Sequence, residues 1–408
     1  MKCRHCAALV KQNFLDLGFA PPSNAYLTAE QLNQPEKCYP LRVLVCESCW
    51  LVQTEDFASA DELFSNEYAY FSSTSTGWLA HAKTYCDDIT KRLSLTSKSL
   101  VIELASNDGY LLKNFVAAQI PCLGIEPTAS TAAAAEALGI PVLREFFGEE
   151  LAISLASQGK KADLIIGNNV YAHVPDINDF TRGLAATLKP TGTITLEFPH
   201  LLQLIGNAQF DTIYHEHFSY FSLSTVVKIF AANSLRVYDI DELPTHGGSL
   251  RVYGGHDDDK RLVTERVGSM LERERRAGLQ TIDTYEKFQD VANRVKNDLL
   301  DFLIQEKRKG RTVIGYGAAA KGNTLLNYAG VKPDLLPFIC DAAPSKQGKF
   351  MPGSHIPIVA PDVLIKGRVD SVLILPWNIA SEVTRGLKSV LDAKASMWIC
   401  VPNVQKVQ

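Results

Sequence analysis

The stretch SLVIELASNDGYLLKNF, residues 99–115, decides the fold. It opens on an apolar run, breaks at Ser106-Asn107-Asp108-Gly109, and continues with helix formers. An apolar run bounded by turn residues reads as a buried strand, and the segment after the turn as the start of a helix. The pattern repeats outward. PCLGIEP (121–127) is a second strand, followed by a helix over TASTAAAAEALG (128–139). ADLIIGNNVYAHV (162–174) is a third strand with its loop, and FTRGLAATLKPTGTITLEFP (180–199) a helix, a Pro-Gly turn and a strand. Strands alternating with helices predict a parallel, doubly wound sheet.

On either side the pattern changes. Residues 1–60 are short-patterned and rich in cysteine, with CRHCAALV (3–10) and LRVLVCESCWLVQ (41–53) each reading as a strand meeting a tight turn. GWLAHAKTYCDDITKRL (77–93) reads as a helix. Residues 258–309 are charged and helix-forming, and read as a solvated helical connector. Beyond them GRTVIGYGAAAKGNTLLNYAG (310–330), LLPFICDAAPSKQGKFMPGSHIPI (335–358) and SVLILPWN (371–378) begin a second βαβ series. The fold class is therefore α/β, with boundaries expected at 1–60, 61–305 and 306–408.

The 408 residues are 46% hydrophobic and 21% charged, with a net charge of −4. This composition belongs to globular chains and offers no electrostatic basis for binding nucleic acid or an anionic membrane. No apolar run approaches the roughly 20 residues of a membrane span, and MKCRHC has no apolar leader core. The expected compartment is the cytoplasm, where structural disulfides are rare. The nine cysteines need another explanation. Cys3-x-x-Cys6 and Cys46-x-x-Cys49 form two hooks, and four thiolates in such hooks suit a closed, structural, tetrahedral Zn²⁺ site. The 39 residues between the pairs require a longer hairpin or helix there. Cys38, Cys86, Cys122, Cys340 and Cys400 read as core residues.

Two segments resemble nucleotide sites. In the first, Glu103 ends strand one, a tight loop closes on Gly109, and Glu126 ends strand two, where a carboxylate usually accepts from a ribose diol. Dinucleotide enzymes and S-adenosylmethionine enzymes share this layout. Gly109 stands alone where a pyrophosphate loop wants three glycines, and Asn107 and Asp108 crowd the approach. Carboxylates favour a sulfonium and repel a diphosphate, so the pattern favours S-adenosylmethionine. The second segment, Gly315-x-Gly317-x-x-Ala320 with Asp341 ending a later strand, fits a dinucleotide fingerprint. Lys321 near that helix start suits a phosphate, so NAD and the diphosphate of an activated substrate both remain open.

DTIYHEHFSYFS (211–222) sets Tyr214, His215, Glu216 and His217 in an aromatic run, a costly place for titratable groups unless they are paired or needed. If 214–217 is a helical turn, Tyr214 and His217 share a face. If it is a strand, His215 and His217 share one. The sequence leaves both open. The H-E-x-x-H spacing of zinc hydrolases is absent.

Taken together, CRHC with CESC, EYAYFSSTS (67–75), ELASNDGYLL, GNNVYAHV, YHEHFSYFS, HGGSLRVY (246–253) and GYGAAAKGNTLL resemble the S-adenosylmethionine-dependent deoxysugar C-methyltransferases, over almost the whole chain. The resemblance implies an N-terminal zinc-binding domain, a central Rossmann-like methyltransferase domain and a C-terminal Rossmann-like domain that helps hold a nucleotide-sugar. It implies C-methylation, with C-3 expected and C-5 open, of a nucleotide-linked (expected dTDP) 4-keto-6-deoxysugar through α-deprotonation and an enolate. It points to His217 as base, with Tyr214, Glu216, His173 and Tyr68 beside it and Tyr70 as a neighbour. The cofactor set is then Glu103, Ala105, Asn107, Gly109, Glu126, Pro127 and Asn168. The substrate set is Asn169, Ser249, Arg251, Tyr316 and Lys321. Cys3, Cys6, Cys46 and Cys49 are the metal ligands. The competing expectations are an NAD-dependent nucleotide-sugar oxidoreductase and a non-catalytic zinc and nucleotide-sugar binding protein. The oligomeric state is not readable from the chain.

Overall fold

The computed structural model describes residues 1–57, 71–366, 369–388 and 395–407. Tyr68 and Tyr70 lie outside them. Among the described residues, three sheets organise the fold. At the N-terminus β1 (Gln12–Ala20) and β2 (Tyr39–Val45) form a bulged antiparallel pair, and β3 (Val52–Thr54) adds to β2. The hairpin and its 21–38 arm fill the interval between the cysteine pairs. Both hooks use the same local device. The residue four places after the first cysteine turns left-handed (Ala7, φ 58°; Trp50, φ 68°) and donates its N–H back to that cysteine's carbonyl, at 3.0 and 2.7 Å.

The central sheet holds β4 (Val101–Leu104), β5 (Cys122–Ile125), β6 (Val142–Leu143), β7 (Ala162–Asn168) and β8 (Leu188–Pro199), all parallel. The strand order is β10-β11-β8-β7-β4-β5-β6. Here β10 (Leu235–Leu243) and β11 (Ser249–His256) form a hairpin in which β11 runs antiparallel to β8. The strands read from the sequence for this sheet (β4, β5, β7 and β8) are all present, and β6 and the reversed β10–β11 pair extend it beyond that reading; the strand read at 3–10 is only an isolated bridge between Lys2 and Leu9. The expected Pro-Gly turn at 189–192 is instead a bulge inside β8. Leu188 already pairs with Ala162, and Thr193 resumes pairing with Leu164. The chain reverses direction across the sheet between β4 and β7, which opens a crevice above their carboxyl ends, where open α/β sheets bind ligands.

The short strand β9 (Ser219–Tyr220) does not join the central sheet. It pairs with β3 and so attaches the 211–222 segment to the cysteine-bearing sheet. The C-terminal sheet has the order β14-β13-β12-β15-β16-β17. In it β12 (Val313–Tyr316), β13 (Ile339–Cys340), β14 (Ile358–Val359), β15 (Ser371–Ile374) and β16 (Ser396–Ile399) are parallel, and β17 (Gln405–Lys406) is antiparallel.

The expectation of a solvated connector over 258–309 is overturned. The helix Phe288–Arg308 buries Phe288, Ala292, Val295, Leu299 and Leu303, a stripe at steps of three and four. The stripe joins one core with Phe14 and Leu15 of β1 and Val313 and Leu373 of the C-terminal sheet. Phe14 stacks on Phe288 at 4.8 Å. A second core joins Cys3, Cys46 and Cys49 to Ile102, Ile165 and Leu196 of the central sheet. The N-terminal sheet is thus wedged against both other sheets. Its 21–38 arm reaches the C-terminal one, where Tyr26 donates its hydroxyl to Ala318 O at 2.6 Å and Glu36 pairs with His355 at 2.9 Å.

Candidate active site

A cavity of about 570 Å³ lies where the three sheets meet. That volume is in the range of small-ligand sites. At one end the loop after β4 turns sharply, with Ala105, Asn107 and Gly109 at φ 52°, 49° and 77°. Gly109 is obligatory there: a Cβ would meet Ile140 at 2.4 Å. The turn is fastened by Glu126, whose two oxygens accept the N–H groups of Asn107 and Thr128, each at 2.9 Å. Asn107 and Asp108 in turn accept the N–H groups of Ser72 and Ser73 at 2.9 and 3.0 Å. Asn107 and Asp108 therefore hold a covering loop in place. Ala105, Asn107, Glu126, Pro127, Asn168 and Asn169 all line the cavity.

Glu103 and Gly109 do not line it. Burial, reinforced by the neighbouring charge of Glu126, pushes the Glu103 carboxyl well above the usual range. It sits behind the cavity wall, whereas the sequence reading puts it in the cofactor set.

The crevice fits a polar ligand. Both polar side-chain atoms of Asn168 and Oδ1 of Asn169, which line it, are buried without a hydrogen-bond partner. Such atoms cost about 1–3 kcal/mol each unless something satisfies them. The tips of β4, β5 and β7, with a ribose-type carboxylate at Glu126, are where an S-adenosylmethionine would lie. The cysteine site fits its metal as well. Sγ of Cys3 is 3.5 Å from that of Cys49, Sγ of Cys6 is 3.5 Å from that of Cys46, and all four lie within 4.8 Å. Tetrahedral Zn²⁺ with bonds of about 2.3 Å sets its sulfurs about 3.8 Å apart.

The opposite wall is the 211–222 segment. Residues 214–217 form a turn closed by His217 N donating to Tyr214 O at 2.9 Å. It sets the Tyr214 and His217 rings together, 4.0 Å apart, and both line the cavity. His215 points the other way, donating Nε2–H to Pro40 O at 3.2 Å beside Tyr39. His217 donates Nδ1–H to Thr212 O at 3.0 Å, which fixes the tautomer and leaves the Nε2 lone pair. Burial drives its pKa well below the usual value, and His173, with ring centroids 4.6 Å away, adds to this. His173 donates Nδ1–H to Glu216 O at 2.8 Å, and burial lowers it to about 4. Glu216 accepts from Asn24 Nδ2 at 3.0 and 2.9 Å, and burial raises its carboxyl to about 7.

Lys321 closes the third side. Its Nζ donates to Asn378 Oδ1 at 2.6 Å and sits 4.6 Å over the Trp377 ring. Burial lowers it to about 8 against the pull of Asp211. The dinucleotide fingerprint behind it has a packing explanation. Gly317, at φ 86°, lies against Pro376, where a Cβ would come within 2.5 Å. Asp341 accepts the N–H groups of Ala318 in the Gly-rich turn and of Ala343 in its own loop, at 2.7 and 2.8 Å, and does not face the cavity.

Three expected substrate residues are placed elsewhere. Arg251 is opposite Glu197 in the β11–β8 register and bonds it at 2.5 Å while lying over the Tyr85 ring. Ser249 donates to Thr245 O at 2.9 Å. Neither Arg251, Ser249 nor Tyr316 lines the cavity. Trp78, Tyr110, His246 and Asn24 are among the lining residues that escape the sequence reading. His246 is left-handed at φ 54° between Thr245 and Gly247, and its Nε2 accepts from Asn169 Nδ2 at 3.1 Å. The HGG triplet is its one sequence signal. Trp78 and Asn24 have none, because long-range packing alone brings them in.

Residues 3–64 match the family model "Putative zinc binding domain", residues 78–240 a "Methyltransferase domain", and residues 244–402 a "C-methyltransferase C-terminal domain". The chain is 33% identical over 402 residues to C-methyltransferase NovU of Streptomyces niveus, covering 98% of this chain and 96% of that protein. Among solved structures, S-adenosylmethionine-dependent methyltransferases from Clostridium acetobutylicum and Anabaena variabilis are 11% and 15% identical, each with a TM-score of 0.35. They match 43% and 42% of this chain and 90% and 83% of their own. The cofactors are S-adenosylmethionine and, for the four cysteines, Zn²⁺. Match and geometry agree from end to end, and the chain belongs to the C-methyltransferase family that carries an N-terminal zinc-binding domain.

Proposed function

We propose that this C-methyltransferase methylates the carbon next to the ketone of a nucleotide-linked 4-keto-6-deoxysugar, with C-3 as the expected position. The observation that carries the proposal is the state of His217. It is a neutral imidazole with Nδ1–H engaged and Nε2 available, and it lines the same cavity as Glu126 and Lys321. The sugar class comes from the family resemblance of the sequence, and Lys321 at the C-terminal sheet supports an anionic substrate such as a diphosphate.

S-adenosylmethionine, when bound, supplies an electrophilic methyl group on a sulfonium. The residues expected to hold it are Ala105, Asn107, Glu126, Pro127 and Asn168. A carbon next to a ketone must first lose a proton, and its charge then delocalises onto the carbonyl oxygen. His217 Nε2 takes that proton as a general base. Tyr214, packed on the His217 ring, and Glu216, held by Asn24, orient base and sugar. Burial raises the Glu216 carboxyl to about 7 beside this wall.

The test is mass spectrometry of candidate nucleotide-linked 4-ketosugars incubated with S-adenosylmethionine, with wild type and with His217→Asn. The expected result is a 14-mass-unit gain in wild type and a loss of rate of at least about 10²-fold in the variant. S-adenosylhomocysteine affinity should be unchanged. A near-normal rate in His217→Asn would remove His217 as base, and tight NAD binding by the wild type would favour an oxidoreductase.

A further inference from the structure

We infer that the cysteine knuckles brace the base-bearing turn, with Thr54 and Arg4 as positioning residues that fix His217 from the outside. The inference rests on reading His217 as the base. Both knuckles reach the turn through very short chains. The second runs from Cys49 directly into β3, and Thr54 at its end makes three contacts. Its N–H donates to Phe218 O at 3.1 Å, its Oγ1 donates to His217 O at 2.5 Å, and its own carbonyl accepts from Arg4 Nη2 at 2.9 Å.

The first knuckle carries Arg4 between its two cysteines. The Arg4 N–H donates to Gln53 Oε1 at 2.9 Å, and Gln53 Nε2 returns to Cys3 Sγ at 3.3 Å. The Arg4 guanidinium lies 5.0 Å from the Phe218 ring and donates to Pro175 O at 3.1 Å, a residue of the cavity wall. It also pairs with Asp56.

The inner side of the turn is held separately. Phe218 N donates to Ala172 O at 2.8 Å, and His173 Nδ1 to Glu216 O at 2.8 Å. The carbonyl of His217 is therefore fixed by Thr54, its N–H by Tyr214, and its ring by Thr212. A base must stay within about half an ångström of its working position, and shifts near 1 Å cost about 10²-fold in rate. The outer contact, Thr54, is two residues from Val52 and five from Cys49, with no flexible linker between. Drawing the four sulfurs onto one ion thus sets the register of β3 on β9, and with it the place of His217.

The test uses the full-length, zinc-loaded enzyme and reads amide hydrogen exchange by mass spectrometry alongside turnover. Thr54→Val removes the hydroxyl and keeps the shape. Exchange over 214–218 should rise by about tenfold while β4 and β7 stay protected. The turnover number should fall by about tenfold or more with S-adenosylhomocysteine affinity unchanged, and Thr54→Ser should restore both. Chelator removal of zinc should loosen the same amides before those of β4 and β7. Wild-type exchange over 214–218 in Thr54→Val would overturn the brace, and so would unchanged exchange on zinc removal. Faster exchange with an unchanged turnover number would support the brace and remove His217 as base, so the two failures are separable.

Discussion

At His217 and His215 the sequence presents two equal candidates, and the hydrogen bonds of a four-residue turn separate them. His215 donates to Pro40 O, away from the cavity, while His217 donates to Thr212 O and faces it. Local periodicity could not separate them, because a helical turn groups His217 with Tyr214, a strand groups it with His215, and the sequence leaves both conformations open. Arg251 shows the reverse difficulty. A cation beside HGGS resembles a ligand anchor, yet its cross-strand partner is Glu197, and the charge pair is internal. The position of Glu126 was legible: it follows the end of the second strand and lines the cavity, the place of a ribose-binding carboxylate in this sheet type. It also fastens the loop of Asn107 and Thr128, so the informative change is Glu126→Gln, which keeps one acceptor. Calorimetry should show S-adenosylhomocysteine affinity weakened by about 1.5–3 kcal/mol. Unchanged affinity would remove Glu126 from the cofactor site.

At the scale of elements, the two knuckles and the helix Phe288–Arg308 teach different lessons. Paired short cysteine spacings state their geometry outright, because each hook can close on one ion. Metal binding at such a site is folding free energy. Cys46→Ser should therefore lower the zinc content below one per chain and lower the melting temperature, measured by elemental analysis and calorimetry. Full zinc occupancy in the variant would show that Cys46 is not a ligand. The long helix is charged enough to look solvated, but its apolar positions recur at 288, 292, 295, 299 and 303 and form one narrow stripe. Average charge hides a stripe that spacing reveals. The β8 bulge at 189–192 follows the same logic: Pro and Gly marked an irregularity, and the strand pairing on each side decided that it was a bulge.

At the scale of the whole molecule, the cavity draws Asn24 from the N-terminal segment, Glu126 and His217 from the middle, and Lys321 and Asn378 from the C-terminal sheet. Burial in that junction lowers Lys321 to about 8. A lysine is charged below its pKa and neutral above it, so anion binding should be complete below pH 8 and lost as pH rises through that value. Affinity for thymidine diphosphate, measured by calorimetry from pH 6.5 to 9.5, should fall on the alkaline side with a midpoint near pH 8. Lys321→Arg, which holds its charge throughout, should abolish the limb, and Lys321→Met should weaken binding at every pH. A wild-type affinity flat through pH 9 would assign anion recognition to another group.

By itself the sequence determined the doubly wound central sheet, the cysteine tetrad and the tight loop after β4. Each is a short-range pattern in which side-chain type and backbone geometry are coupled within a few residues: apolar runs to strands, paired cysteines to knuckles, Gly109 to a left-handed turn. The tertiary structure alone decided the chemistry of the opposite wall. The lowered pKa of His217, the raised one of Glu216, and the presence of Asn24, Trp78 and His246 arise from burial and from contacts across up to some 200 residues of chain. Desolvation depends on everything packed around a group, and no window of neighbouring residues contains that information.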